Sequence, residues 1–228
     1  MKNLSQVESK IGVQFKDKTL LDQIFVHRSY LNENDGKASN ERLEFLGDAV
    51  LELVVTDHLY TSFPKLDEGV LTNYRSALVR GTNLADVAEK IGLGDHLYLS
   101  RGEDASGGRK KHYILANTVE AMIGAIYLDQ GYEVSKKFIH KWVIATLDNI
   151  IKEGLYLDAK THFQEKAQEE LSTTPHYEVL DEEGPDHDKT FTIGAFLGGE
   201  KVGEGQGSNK QEAEQNAAHS ALKNKGWV

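Results

Sequence analysis

The segment 40–51, NERLEFLGDAVL, constrains this chain more than any other stretch of it. On a helix, Glu41, Glu44 and Asp48 stand at i, i+3 and i+7, within about 60° of arc at 100° per residue. Three like charges on so narrow a face repel one another unless a cation offsets them. Leu43, Phe45, Leu46, Val50 and Leu51 surround that face, so the helix is expected to pack rather than stand free in water. Gly47 is unfavourable inside a helix and predicts that another backbone comes close.

A second segment, 114–128 (ILANTVEAMIGAIYL), has the complementary character. Asn117 and Glu120 are i, i+3 neighbours in an otherwise apolar helix, and Gly124 continues their face. A carboxylate among Ile, Leu, Val and Met needs a partner. Two helices crossing with these faces together would gather oxygen ligands suited to Mg²⁺ or Mn²⁺, which are hard cations. The pattern leaves a plainer reading open, with Glu41 and Glu44 on a solvated face and Glu120 in a buried ion pair.

The chain's 228 residues suffice for two modest domains. Helical spacing of apolar residues runs through 20–30, 43–63, 70–91, 114–128 and 134–151, and Pro64 stands where it can stop a helix. Residues 100–111, SRGEDASGGRKK, are Gly-rich and polar and read as a loop. Their cations Arg101, Arg109, Lys110 and Lys111 are equally readable as contacts to an anionic partner or as solvated loop charge. Beyond residue 157 the pattern changes. A helix over 158–171, capped by Asp158, precedes short alternating segments at 177–179, 191–195 and 201–203, with Gly198-Gly199 as a hairpin signal. Helical spacing returns over 208–223, where alanines form a face small enough to lie close on a sheet. The predicted architecture is an all-α domain, 1–155, followed by an α+β domain of order α-β-β-β-α, 158–228.

Composition narrows the setting. There are no cysteines, so disulfides and Cys-ligated zinc are excluded. The N-terminal residues lack the apolar core of a signal peptide and no apolar stretch could span a bilayer, so a cytoplasmic protein with no membrane partner is expected. The nine histidines show no HxH or HExxH spacing. The net charge is −10, shared as −3 over 1–157 and −7 over 158–228. Such acidity argues against a nucleic-acid partner unless a few well-placed cations line a groove.

The quoted segments supply that exception. NERLEFLGDAVL closely resembles the signature of the bacterial-type ribonuclease III family, and ILANTVEAMIGAIYLDQG resembles its second catalytic segment. THFQEKAQE, GPDHDKTF and GSNKQEAEQNAA resemble a double-stranded-RNA-binding domain, and the likeness covers essentially the whole chain in the family's usual order. The resemblance implies an endonuclease that cuts double-stranded RNA in RNA processing and turnover, leaving 5′-phosphate and 3′-hydroxyl ends with a short 3′ overhang. It implies Mg²⁺ as cofactor, with Mn²⁺ as a substitute, and a homodimer whose two sites cut the two strands. By the same resemblance Glu44, Asp48 and Glu120 match the metal-binding carboxylates, Asp48 and Glu120 being catalytic. Asn117 stands where the family usually shows Asp, and Glu41 and Glu68 match further acidic positions of the cleavage valley.

In the second domain the resemblance places RNA contacts at Gln164 and Glu165, at His187, and at Ser208, Asn209 and Lys210. Duplex RNA is read through 2′-hydroxyls and phosphates, groups that Gln, His and a lysine at a helix start can contact. The family commonly shows a Lys-Lys pair where this chain has Lys210-Gln211, so weaker binding by this domain is expected. Two other readings stand beside the nuclease. One is a protein impaired by Asn117 that binds double-stranded RNA without cutting it; the other is a metal-bound helical scaffold with no RNA role.

Overall fold

The computed structural model describes residues 4–34, 36–156, 158–184 and 189–227. The chain divides into two compact units, Met1–Lys152 and Glu153–Val228.

The first unit contains α1 (Ser5–Ile11), α2 (Lys18–Gln23), α3 (Glu41–Ser62), α4 (Glu68–Val79), α5 (Gly81–Ile91), α6 (Arg101–Ala105), α7 (His112–Gln130), α8 (Tyr132–Trp142) and α9 (Leu147–Lys152). Helix α7 is its axis. Its residues Ile114, Val119, Met122, Ile123 and Ile126 are buried, and it packs on α3, α5 and α8. A helix apolar nearly all round must be enclosed by others. Leu51, Val54 and Val55 of α3 and Leu84, Val87 and Ala88 of α5 complete the core. Each large aliphatic side chain so buried contributes roughly 1.5–3 kcal/mol.

Four expectations need correction. The periodic run 70–91 is two helices, because Arg80 adopts φ −57°, ψ 138° between α4 and α5. The run 20–30 leaves the α-helix after Gln23; Val26 bridges Tyr98, and a 3₁₀ turn covers Arg28–Asn32. The run 134–151 is interrupted after Trp142 by a 3₁₀ turn, Ile144–Thr146. Residues 100–111 are not a plain loop. Ser100 caps α6 by accepting from the Glu103 N–H, and a 3₁₀ turn spans Gly108–Lys110. The cause is Arg109, whose guanidinium donates to the carbonyls of Gly94 and Leu97 and pairs with Asp104 at 2.8 Å. Composition could not reveal that anchoring.

The second unit opens with α10 (Ala159–Leu171), capped by Asp158, which accepts from the Thr161 N–H at 2.9 Å. Strands β1 (His176–Glu183), β2 (Thr190–Leu197) and β3 (Glu200–Gly207) form one antiparallel sheet in that order. Gly198 and Gly199, both at positive φ, make the turn between β2 and β3. Helix α11 (Lys210–Lys225) lies on the sheet through Ala213, Ala217 and Ala221. The approach is close enough that a Cβ at Gly205 would stand 2.2 Å from the Ala217 nitrogen. Phe163, Ala167, Ile193, Ala195 and Leu197 fill the remaining core. Among the described residues no helix is long and apolar enough to cross a membrane.

Candidate active site

The carboxylates of α3 and the polar pair of α7 meet because two glycines let the helices touch. A Cβ at Gly47 would lie 1.7 Å from the Glu120 carbonyl oxygen and 2.8 Å from the Gly124 nitrogen; one at Gly124 would lie 2.1 Å from the Leu43 carbonyl oxygen. This backbone contact sets Glu44 and Asp48, which flank Gly47, across from Asn117 and Glu120.

The electrostatics record the result. Burial, and then the charges of Asp48 and Glu44, push the Glu120 carboxyl up to about 7. Burial and the nearby Glu41 likewise raise Glu44, Asp48 adds to the rise, and a side-chain hydrogen bond from Asn117 opposes it. The Asn117 amide therefore donates to the Glu44 carboxylate, and its own carbonyl oxygen remains an acceptor. Glu44, Asn117 and Glu120 are half-buried and Asp48 is exposed. The polar cluster thus opens to solvent on one side and backs onto core on the other.

Glu41 stands at the rim, accepting from Ser39 Oγ at 2.9 Å and lying 3.6 Å from Arg28. Glu68 is not part of the cluster. It begins α4, accepts from Thr72 Oγ1 and lines a separate groove between α3 and α4 with Tyr60 and Arg75.

Among the described residues no three Asp, Glu or His side chains already stand as a closed cage for a metal ion. The donor set nevertheless fits a hard divalent cation. Glu44 and Glu120 are both raised in proton affinity, in part by the charge of Asp48; such an ion would offset that charge, and Asn117 adds a neutral oxygen.

Phe45, expected among the residues that pack the signature helix, instead points outward and is 82% exposed. Leu53 and Tyr60, further along α3, are exposed as well. Of the loop cations, Arg109 is held internally and Lys111 pairs with Glu103 at 2.7 Å.

In the second unit Gln164 and Glu165 are exposed and line one open groove on α10 with Thr161 and Gln168. Ser208, Asn209 and Lys210 stand together at the start of α11. Asn209 accepts from the Glu212 N–H at 2.9 Å, and the Glu212 carboxylate accepts from Ser208 N–H at 2.8 Å and from Ser208 Oγ at 2.6 Å. This reciprocal arrangement caps the helix. Lys210 Nζ lies 3.3 Å from Glu182 and 5.5 Å from the centre of the Phe191 ring. His187 lies outside the described residues. Sequence reasoning passed over Glu182, whose only signal was the acidic run Asp181-Glu182-Glu183.

Residues 17–147 match the family described as ribonuclease-III-like, and residues 159–225 match the double-stranded RNA binding motif. The chain is 44% identical over 220 residues to Ribonuclease 3 of Desulforamulus reducens, covering 96% of this chain and 89% of that protein. Two solved structures of the nuclease domain of ribonuclease III from Campylobacter jejuni are 40% identical to it, with TM-scores of 0.60 and 0.59. They cover 64% and 63% of this chain and 97% of theirs, and the second is described as flexible in a region involved in dimer formation.

Proposed function

The chain belongs to the ribonuclease III family and is a double-strand-specific endoribonuclease, and we propose that it cuts by metal-dependent hydrolysis in the cluster of Glu44, Asp48, Asn117 and Glu120. One observation carries this reading: the Glu120 carboxyl is pushed up to about 7 by burial and by two neighbouring carboxylates. Charge gathered so unfavourably on crossing helices is accounted for by a cation that the cluster receives.

Glu44, Asp48 and Glu120 would hold Mg²⁺, or Mn²⁺ in its place, with the Asn117 carbonyl oxygen as a neutral ligand. When bound, the ion supplies a more acidic nucleophilic water and stabilises charge on the phosphoryl and leaving oxygens. As a ligand Glu120 would act as the carboxylate, so binding of the ion would draw off the proton that burial and its neighbours help it hold in the metal-free protein. The half-buried setting limits competing water on the core side, while the open side admits the RNA backbone. The products on this reading carry 5′-phosphate and 3′-hydroxyl ends with a short 3′ overhang.

Two copies act together on this reading, one for each strand. The exposed Phe45 on the catalytic helix supports it, as does the dimer-forming region named for the Campylobacter nuclease domain. Domain bounds of 1–155 and 158–228 fit the change in sequence pattern. The second domain holds duplex RNA through Gln164, Glu165, His187, Ser208, Asn209 and Lys210, and the enzyme works on cytoplasmic RNA.

Asn117 supports a second reading, in which the protein binds double-stranded RNA and cuts it poorly, because its amide is already committed to Glu44. Incubation of the full chain with an end-labelled RNA duplex, with Mg²⁺ or with chelator, separates the readings. Cleavage with Mg²⁺ alone is expected; cleavage undiminished in excess chelator would rule out the metal mechanism, and binding without cleavage would favour the second reading.

A further inference from the structure

The lysines of the second unit are almost all engaged by its own carboxylates. Lys160, Lys166, Lys189, Lys201, Lys210 and Lys223 each lie within 4 Å of one. Among the described residues of the unit one carboxylate stands apart, because it serves two lysines. Glu182 lies 3.3 Å from Lys210 through Oε1 and 3.6 Å from Lys189 through Oε2.

Its position follows from the sheet. Glu182 pairs across strands with Phe191, so both side chains leave the same face, and the Lys210 ammonium sits over the Phe191 ring. The start of α11 is engaged as well, since the Glu212 carboxylate takes the Ser208 N–H and hydroxyl.

We propose that Glu182 is an intramolecular competitor for RNA phosphate, a carboxylate that occupies the Lys210 ammonium and must be displaced when duplex RNA binds. The inference rests on the reading of Lys210 as an RNA contact. It adds a residue that sets affinity and salt response without itself contacting RNA. The physical signature is specific. A lysine moved from a tethered carboxylate to phosphate still displaces that phosphate's condensed cation, but the ion pair it leaves is itself weakened by salt, so part of the salt dependence cancels. A lysine freed from that carboxylate behaves as an ordinary exposed cation.

The test is equilibrium binding of the full chain to an RNA duplex of about 20 base pairs, longer than the roughly 16 that one such domain spans. Binding is read by fluorescence anisotropy across a salt series, in chelator so that no cleavage occurs. Glu182→Gln should tighten binding about three- to tenfold at low salt, the scale of one or two exposed ion pairs. It should also steepen the log–log salt slope, by up to roughly 0.9 for the one lysine no longer drawn from its carboxylate. Lys210→Gln should weaken binding, and the double variant should lose most of the gain.

Unchanged affinity and slope in Glu182→Gln, with its melting curve intact, would overturn the competition. A gain that persists in the double variant would also overturn it, because the effect would then not pass through Lys210. If Lys210→Gln binds as the unaltered chain does, the RNA-contact reading itself is what fails.

Discussion

The α-carbon of Gly47 faces the backbone carbonyl of Glu120 so closely that a Cβ there would stand 1.7 Å from the oxygen. The obstacle is backbone in the middle of a buried helix, which cannot turn aside as a flexible side chain can. Gly47→Ala must therefore separate α3 from α7 and draw Glu44 and Asp48 away from Glu120. The expected cost is at the upper end of overpacking, about 3 kcal/mol or more, together with loss of cleavage. Chemical denaturation checks the first and duplex cleavage the second. Unaltered stability would mean that the helices do not cross at this glycine.

Glu120 makes the metal-free protein pH-sensitive in a definite direction. Its carboxyl rises from 4.5 in the unfolded chain to about 7 in the fold. Between those values the native state binds more protons than the unfolded state, so stability falls as pH rises through that window and levels off above it. The loss is about 2 kcal/mol, less than the full difference implies because the group is partly solvated. In chelator, Glu120→Gln should thus be the more stable protein at pH 8 and nearly equal at pH 5. Added Mg²⁺ should stabilise the unaltered chain more than the variant, and cleavage by the variant should be nearly abolished. Denaturant melts at the two pH values would contradict this if the variant were less stable at pH 8 in chelator.

Asn117 donates to Glu44, whereas an aspartate there would repel it and add a fourth negative charge. At an effective dielectric of about 20, a unit charge ~4 Å away is worth about 4 kcal/mol, and a divalent ion nominally doubles that. Desolvation and mutual repulsion of the carboxylates offset most of the gain, leaving about 1–3 kcal/mol. Asn117→Asp should lower the Mg²⁺ concentration for half-maximal cleavage by roughly ten- to hundredfold. A Mg²⁺ titration that leaves the midpoint in place would remove residue 117 from the ligand set.

Phe45 exposes an aromatic ring to water on the outer face of the signature helix. Burial of that ring against a second copy would make it an anchor of the two-fold contact. Phe45→Glu is expected to yield monomers at micromolar concentration, with a parallel fall in cleavage and little loss of monomer stability. Light scattering distinguishes the outcomes, and a variant that stays dimeric would place the interface elsewhere.

The sequence determined the pieces whose cause is local. Glu41, Glu44 and Asp48 share a face because helical geometry requires it. Asp158 caps α10 through its own neighbour Thr161, and Gly198-Gly199 turn a hairpin by their freedom at positive φ. Gly47 signalled a close approach by its mere presence in a helix, though not which backbone approaches. The tertiary structure decided what depends on partners distant in the chain. Arg109 turns a Gly-rich polar stretch into helical turns by reaching carbonyls 12 and 15 residues earlier. Glu120 acquires its proton affinity only because α7 lies across α3, and Phe45 faces solvent because the core was filled from the other side of the helix. Glu182 reaches Lys210 across 28 positions of sequence, a pairing set by the register of β1 on β2 and the seating of α11. Local patterns are fixed by backbone sterics and periodicity, whereas charge coupling depends on distance in space, and only the packed fold sets that distance.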